Sequence, residues 1–140
     1  MRLYKTLILF IVLSFSWIPG LPQSLPDVTE IMGQSKQKID MLLGVPGFCE
    51  KSDSTMECRY NGGQTVIFYV DEKAQWLRIQ DTGGIPFEAK SIVSFGLKEM
   101  SPQKRAPSLI SWTDLPGFKV VSFTSHDFKT ISSAYFEKTL

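Results

Sequence analysis

The sequence predicts an α+β domain in which two tandem α-β-β-β units form an antiparallel sheet with helices packed on one face. Three observations lead there. Residues 64–80 (QTVIFYVDEKAQWLRIQ) hold two apolar, β-branched and aromatic runs joined by the polar tetrad Asp71-Glu72-Lys73-Ala74, the pattern of a β-hairpin. Residues 36–43 precede it with helical spacing of Ile39, Leu42 and Leu43. The order helix, glycine, short strand, turn and hairpin then recurs in the second half of the chain.

The chain opens with Met1-Arg2-Leu3-Tyr4-Lys5, an apolar run to Ile18, and Pro19-Gly20. Two positive charges, a short apolar run and a break match a secretory signal peptide. The run falls short of the ~20 residues of a comfortable membrane span, and retention as an N-terminal anchor is the competing reading. Residues 1–24 are therefore assigned to signal peptide and linker, and 25–140 to a single domain. Prolines 19, 22 and 26 make 21–30 an extended arm. Ser35 caps the first helix, Gly44 takes its C-cap, and Pro46 blocks continuation. Cys49 and Cys58, the only two cysteines, flank EKSDSTME. Export would join them in one disulfide; a pair of buried thiols is the alternative. Residues 56–60 read as a strand and Asn61-Gly62-Gly63 as a turn into the hairpin.

Asp81-Thr82-Gly83-Gly84 is a hinge between halves. Pro86 suits the first turn of a second helix over 87–95, with Ile92 and Phe95 on one side and Gly96 after it. Residues 101–108 form a proline-flanked loop, and 109–112, 118–124 and 130–138 are strands around a DLPG turn and the loop 125–129. The repeats thus span 31–80 and 86–138, on order and spacing rather than residue identity.

Pairing the central hairpin across a four-residue loop puts Val66, Phe68, Leu77 and Ile79 on one face and Ile67, Tyr69, Trp76 and Arg78 on the other. The first set is an aliphatic core face. The second is aromatic and amphipathic, and a one-residue slip would exchange the assignments. Tyr69, Trp76 and Arg78, joined by Trp112, are the candidate partner-binding residues, because aromatic and Arg anchors dominate interface energetics. Burial of this face inside the monomer, under Trp112 or the N-terminal arm, is the other reading.

Fifteen basic against 14 acidic residues leave no surplus for nucleic acid, and His126 is the single histidine, so no metal or cofactor is expected. Ser125-His126-Asp127 has the residue types of a hydrolase triad, but sequence neighbours cannot adopt its geometry. Gly62-Gly63 and Gly83-Gly84 lack the Lys-Ser/Thr of a phosphate loop. The expectation is a non-enzymatic, periplasmic or secreted protein that binds or scaffolds an unidentified envelope or extracellular protein. It has no membrane span once the signal is removed. A small-molecule pocket between sheet and helices is the alternative, and it requires a gap near Phe68 and Leu77.

Ile39-Asp40-Met41-Leu42-Leu43-Gly44-Val45-Pro46, followed by a strand and a hairpin, resembles a signature of small bacterial envelope and secreted proteins. That group includes the small lipoprotein of the outer-membrane barrel-assembly machinery and the β-lactamase inhibitor proteins. The resemblance covers residues 31–80 and, more faintly, 86–138. Likeness to the inhibitors implies tandem helix-plus-sheet repeats whose joined sheet offers an aromatic concave surface to an enzyme. The chain departs from the pattern in two places. No lipid-attachment cysteine follows the apolar run, and Gly96-Leu97-Lys98 stands where the first half has Gly44-Val45-Pro46.

Overall fold

In a computed structural model, which describes residues 25–140, strands dominate and the helices are short. The expected signal peptide lies outside the described residues. Two helices come first, α1 (Val28–Ile31) and α2 (Lys36–Leu43). Eight strands follow: β1 (Phe48–Ser52), β2 (Thr55–Tyr60), β3 (Thr65–Val70), β4 (Lys73–Gln80), β5 (Lys104–Ala106), β6 (Leu109–Trp112), β7 (Phe118–Thr124) and β8 (Ser133–Lys138). They form one antiparallel sheet in the order β1-β2-β3-β4-β8-β7-β6-β5.

This corrects the expected fold class. Two α-β-β-β units are replaced by two four-stranded meanders that meet at the β4–β8 pair. The added strands come from segments read as loops. Residues 48–52 turn back on β2 through Asp53, which takes a φ of 46°, a left-handed conformation that Asp tolerates. Residues 104–106 pair with β6. The second expected helix is a 3-10 segment, Ala89–Phe95. Its Ser91-Ile92-Val93-Ser94 run is poor in helix formers, and a 3-10 segment of about two turns stands in place of an α-helix. The expected extended arm instead contains α1, whose N-cap Asp27 accepts from the Thr29 N–H at 2.9 Å. Around α2 the reading holds: Ser35 accepts from the Lys38 N–H at 3.3 Å, and Gly44 ends the helix at φ 88°.

α1, α2 and the 3-10 segment cover one face of the sheet, where Val28, Ile31, Ile39, Ile92 and Phe95 are fully or almost fully buried. Phe95 lies 5.2 Å from both Phe123 and Phe136, ring to ring. Trp112 meets Phe123 edge-on at 5.0 Å, and its indole N–H donates to the Met100 carbonyl at 2.8 Å. Burying a large ring with its one polar atom satisfied is the economical place for Trp.

The central hairpin folds as expected but in a different register. Asp71 and Glu72 both take positive φ, 47° and 65°, making a two-residue turn of the kind that matches strand twist. Val70 then pairs with Lys73 and Tyr69 with Ala74. At that point the linker between α1 and α2 captures the strand. Gly33 N–H donates to the Ala74 carbonyl at 2.8 Å, and Ala74 N–H donates to the Gln34 carbonyl at 2.9 Å. The ladder shifts between Phe68 and Tyr69, so that Phe68 pairs with Trp76 and Ile67 with Leu77. Relative to a four-residue loop, β3 has slipped by one residue. Ile67 and Tyr69 therefore join Leu77 and Ile79 in the core, while Val66 and Phe68 join Trp76 and Arg78 on the outer face.

Candidate interaction surface

The register of the sheet places side chains on the outer face in rows that cross the strands. One row runs Phe48, Arg59, Val66, Arg78, Tyr135, Ser122, following the pairs that join β1 to β7. The neighbouring row runs Glu50, Glu57, Phe68, Trp76, Glu137, Val120. Phe68 and Trp76 stack in parallel at 5.2 Å with 8° between their planes, and Tyr135 follows at 6.0 Å from Trp76. A parallel stack on adjacent strands, at nearly the strand spacing, stands the rings upright, so ring edges rather than ring faces meet solvent.

Charges frame these rings. Val66 is 3% exposed although it lies on the outer face, with Arg59 and Arg78 as its partners on the two neighbouring strands. Arg59 reaches Glu57 at 3.4 Å and sits 5.9 Å above the Phe48 ring. Lys119 pairs with Glu137 at 2.9 Å, and the Tyr135 hydroxyl donates to Glu137 at 3.1 Å. Partial burial, then the Glu137 charge and that bond, push the Tyr135 phenol up to about 12. Arg78 is exposed, and no hydrogen bond or ion pair engages it among the described residues.

Of the four expected partner-binding residues, Trp76 and Arg78 lie on this face. Tyr69 is fully buried on the opposite face, and Trp112 is 1% exposed in the core, so the candidate surface loses both. Phe68, Tyr135, Phe48 and Arg59 take their place. Phe68 was legible from the same hairpin one register away. Tyr135 was not, because nothing in the sequence announces that β8 lies beside β4.

Tyr69 has a different role. Its hydroxyl meets that of Tyr60 at 2.6 Å, Tyr60 donates to Asp40 at 2.9 Å, and Lys36 reaches the other Asp40 oxygen at 2.5 Å. This chain of polar groups fastens α2 to β2 and β3. Burial first, and then the bond it donates to the Asp40 carboxylate, raises the Tyr60 phenol far above its ordinary value.

Cys49 and Cys58 form a disulfide across β1 and β2, as expected, with Cα atoms 4.1 Å apart. Ser125, His126 and Asp127 make a loop knot. The Asp127 carboxylate accepts from the backbone N–H groups of Thr130 and Lys129 and from the hydroxyls of Thr130 and Ser125, at 2.8 to 3.0 Å. Those donors, the backbone ones first, hold it well below the usual carboxylate range. The Ser125 hydroxyl is thus spent on a turn rather than aligned with a base. Of the two residues expected beside a sheet–helix pocket, Leu77 is fully buried in the helix-facing core and Phe68 lies on the other face of the sheet. Among the described residues, no cluster of His, Cys, Asp and Glu could hold a metal ion, and no helix is long and apolar enough to cross a membrane.

Fold and surface together define an antiparallel single-sheet domain, disulfide-linked at one edge, with helices on one face and an aromatic–arginine row on the other. No protein-family profile matches the chain, and no curated protein matches it in sequence. The fold is similar to that of an extracellular protein containing a SCP domain from Bacillus anthracis strain Ames, with a TM-score of 0.51 and 10% identity. The match covers 99% of this chain and 50% of that one, so the chain spans about half the length of the structure it resembles. At that identity the likeness speaks for the fold. It does not extend to the barrel-assembly lipoprotein or β-lactamase inhibitor proteins suggested by the Leu-Gly-x-Pro stretch.

Proposed function

We propose that this is an exported, periplasmic or secreted, non-catalytic protein that binds or scaffolds a protein partner through the outer face of its sheet. The observation that carries the reading is the half-buried outer-face row Phe68, Trp76, Tyr135 with the exposed Arg59 and Arg78 beside it. One face of the sheet is closed by helices, whereas the other displays the residue types that concentrate binding energy. Export is supported by the apolar leader and by the Cys49–Cys58 disulfide, a bond that persists in oxidising compartments.

The test is affinity capture from an envelope or extracellular fraction, comparing wild type with Trp76→Ala and Arg78→Ala. Trp76→Ala is expected to weaken a recovered partner by ~2 kcal/mol or more while the disulfide and circular dichroism stay unchanged. Equal recovery by wild type and both variants would move the contact elsewhere on the molecule.

A further inference from the structure

We propose that β1 is an assembly edge, pairing antiparallel with β1 of a second copy of this chain about a two-fold axis at Cys49. The sheet would then continue from one protomer into the next. This goes beyond the aromatic-face reading and does not depend on it.

The two edges of the sheet are not equivalent. β5 is three residues long and bracketed by Pro102 and Pro107, a blunted edge. β1 is five residues long, contains no proline, and pairs with β2 alone among the described residues. Its free side is equipped to bond. The Cα separation of 4.1 Å at Cys49–Cys58 marks a non-hydrogen-bonded pair, since such pairs lie near ~4.5 Å and bonded pairs near ~5.5 Å. The Asp71 N–H donating to the Ser54 carbonyl at 2.9 Å makes Thr55–Val70 a non-hydrogen-bonded pair, so alternation along β2 turns the backbone groups of Cys58 toward β3 and those of Arg59 toward Phe48 of β1. The N–H and C=O groups of Cys49, and by alternation those of Lys51, therefore point away from β2.

Exposed apolar side chains gather where this edge begins. Met41 is 76% exposed, Leu42 47%, Val45 88% and Phe48 55%, all within the stretch that leads into β1. Charge then selects the occupant and the register. Glu50 stands directly opposite Glu57, a like-charge pair that works against the sheet. With the axis at Cys49, the second copy's Phe48 falls opposite Glu50 and its Arg59 comes next in the row. Arg59 already leans over Phe48 toward the edge. The two Phe48 rings become diagonal neighbours, ~7–8 Å apart at the backbone and within aromatic reach. Moving the axis to Glu50 or Lys51 would instead set like charges opposite each other.

The experiment is sedimentation velocity on the purified, disulfide-bonded chain across a concentration series. Wild type is expected to reach twice its monomer mass. Lys51→Pro removes an outward N–H at an edge position where proline is tolerated. It should move the monomer–dimer midpoint at least about tenfold with circular dichroism unchanged. Arg59→Glu should weaken association similarly, and the swap Glu50→Arg/Arg59→Glu should restore it, so the charge pair decides the matter even if the proline variant unfolds. Trp76→Ala should leave the dimer intact. A wild type that is still monomeric at millimolar concentration would overturn the proposal. So would a folded Lys51→Pro that dimerises like wild type, or a charge swap weaker than Arg59→Glu alone.

Discussion

Removing the Tyr60 hydroxyl while keeping its ring tests whether the polar chain from α2 into the sheet acts as one unit. In Tyr60→Phe, the Tyr69 hydroxyl is left fully buried without its 2.6 Å partner, and Asp40 keeps Lys36. A buried group stranded in this way costs ~1–3 kcal/mol, so a loss of ~2 kcal/mol is expected. In Tyr69→Phe, Tyr60 still donates to Asp40 at 2.9 Å, and the loss is that of one ordinary hydrogen bond, ~1 kcal/mol. The double variant strands neither phenol, and its cost should stay near ~2 kcal/mol rather than reach the sum of ~3 kcal/mol. Urea unfolding of the oxidised protein at neutral pH, with equal m-values across the four proteins, measures all three differences. Additivity within ~0.5 kcal/mol would refute the argument, because independent sites add to that tolerance.

Three further outcomes follow from the same geometry. Burial pushes the Tyr69 phenol from 10.0 up to about 12; stability held by the protonated pair is complete below pH 10 and lost as pH rises toward 12, and Tyr60→Phe/Tyr69→Phe should flatten that alkaline transition. Replacing Cys49 and Cys58 by Ser opens a link between residues 9 apart, for which loop-closure entropy gives ~2.5 kcal/mol; because β1 pairs only with β2 among the described residues, hydrogen exchange should rise mainly in those two strands. Asp71→Asn/Glu72→Gly suits both positive-φ positions of the hairpin turn and should stabilise the fold by ~0.5–1 kcal/mol, read as a raised urea midpoint.

The central hairpin, α2 with both its caps, and the disulfide were legible in the sequence because each is a local decision. Ser35 and Gly44 act within one helix, and alternation in residues 64–80 needs only its own strand to be recognised. What was not legible came from elsewhere in the chain. The register of β3 turned on Ala74, whose backbone groups bond to Gly33 and Gln34 across the fold, and no hairpin rule encodes a linker some forty residues upstream. One residue of slip was enough to send Tyr69 inward and bring Phe68 out. Trp112 was grouped with the surface because aromatic content alone does not reveal that the Met100 carbonyl waits to accept its indole N–H. β1 and β5 were hidden by their charge, since FCEKS and KRA read as loops until a neighbouring strand supplies the ladder.

The strand order bears on how the chain gets to its native state. Each meander is assembled from neighbours in sequence, with short loops to close, and can form early at little entropic cost. The β4–β8 seam is different: Trp76 meets Glu137 and Gln80 meets Ser133 only after the whole second meander has been delivered. Phe123 and Phe136 also reach Phe95 only from that later half. For a chain emerging N-terminus first, β4 is an open, aromatic-bearing edge in the middle of the unfinished sheet until β8 docks. A chaperone that shields β4 during that interval would raise the folding yield without touching the final stability.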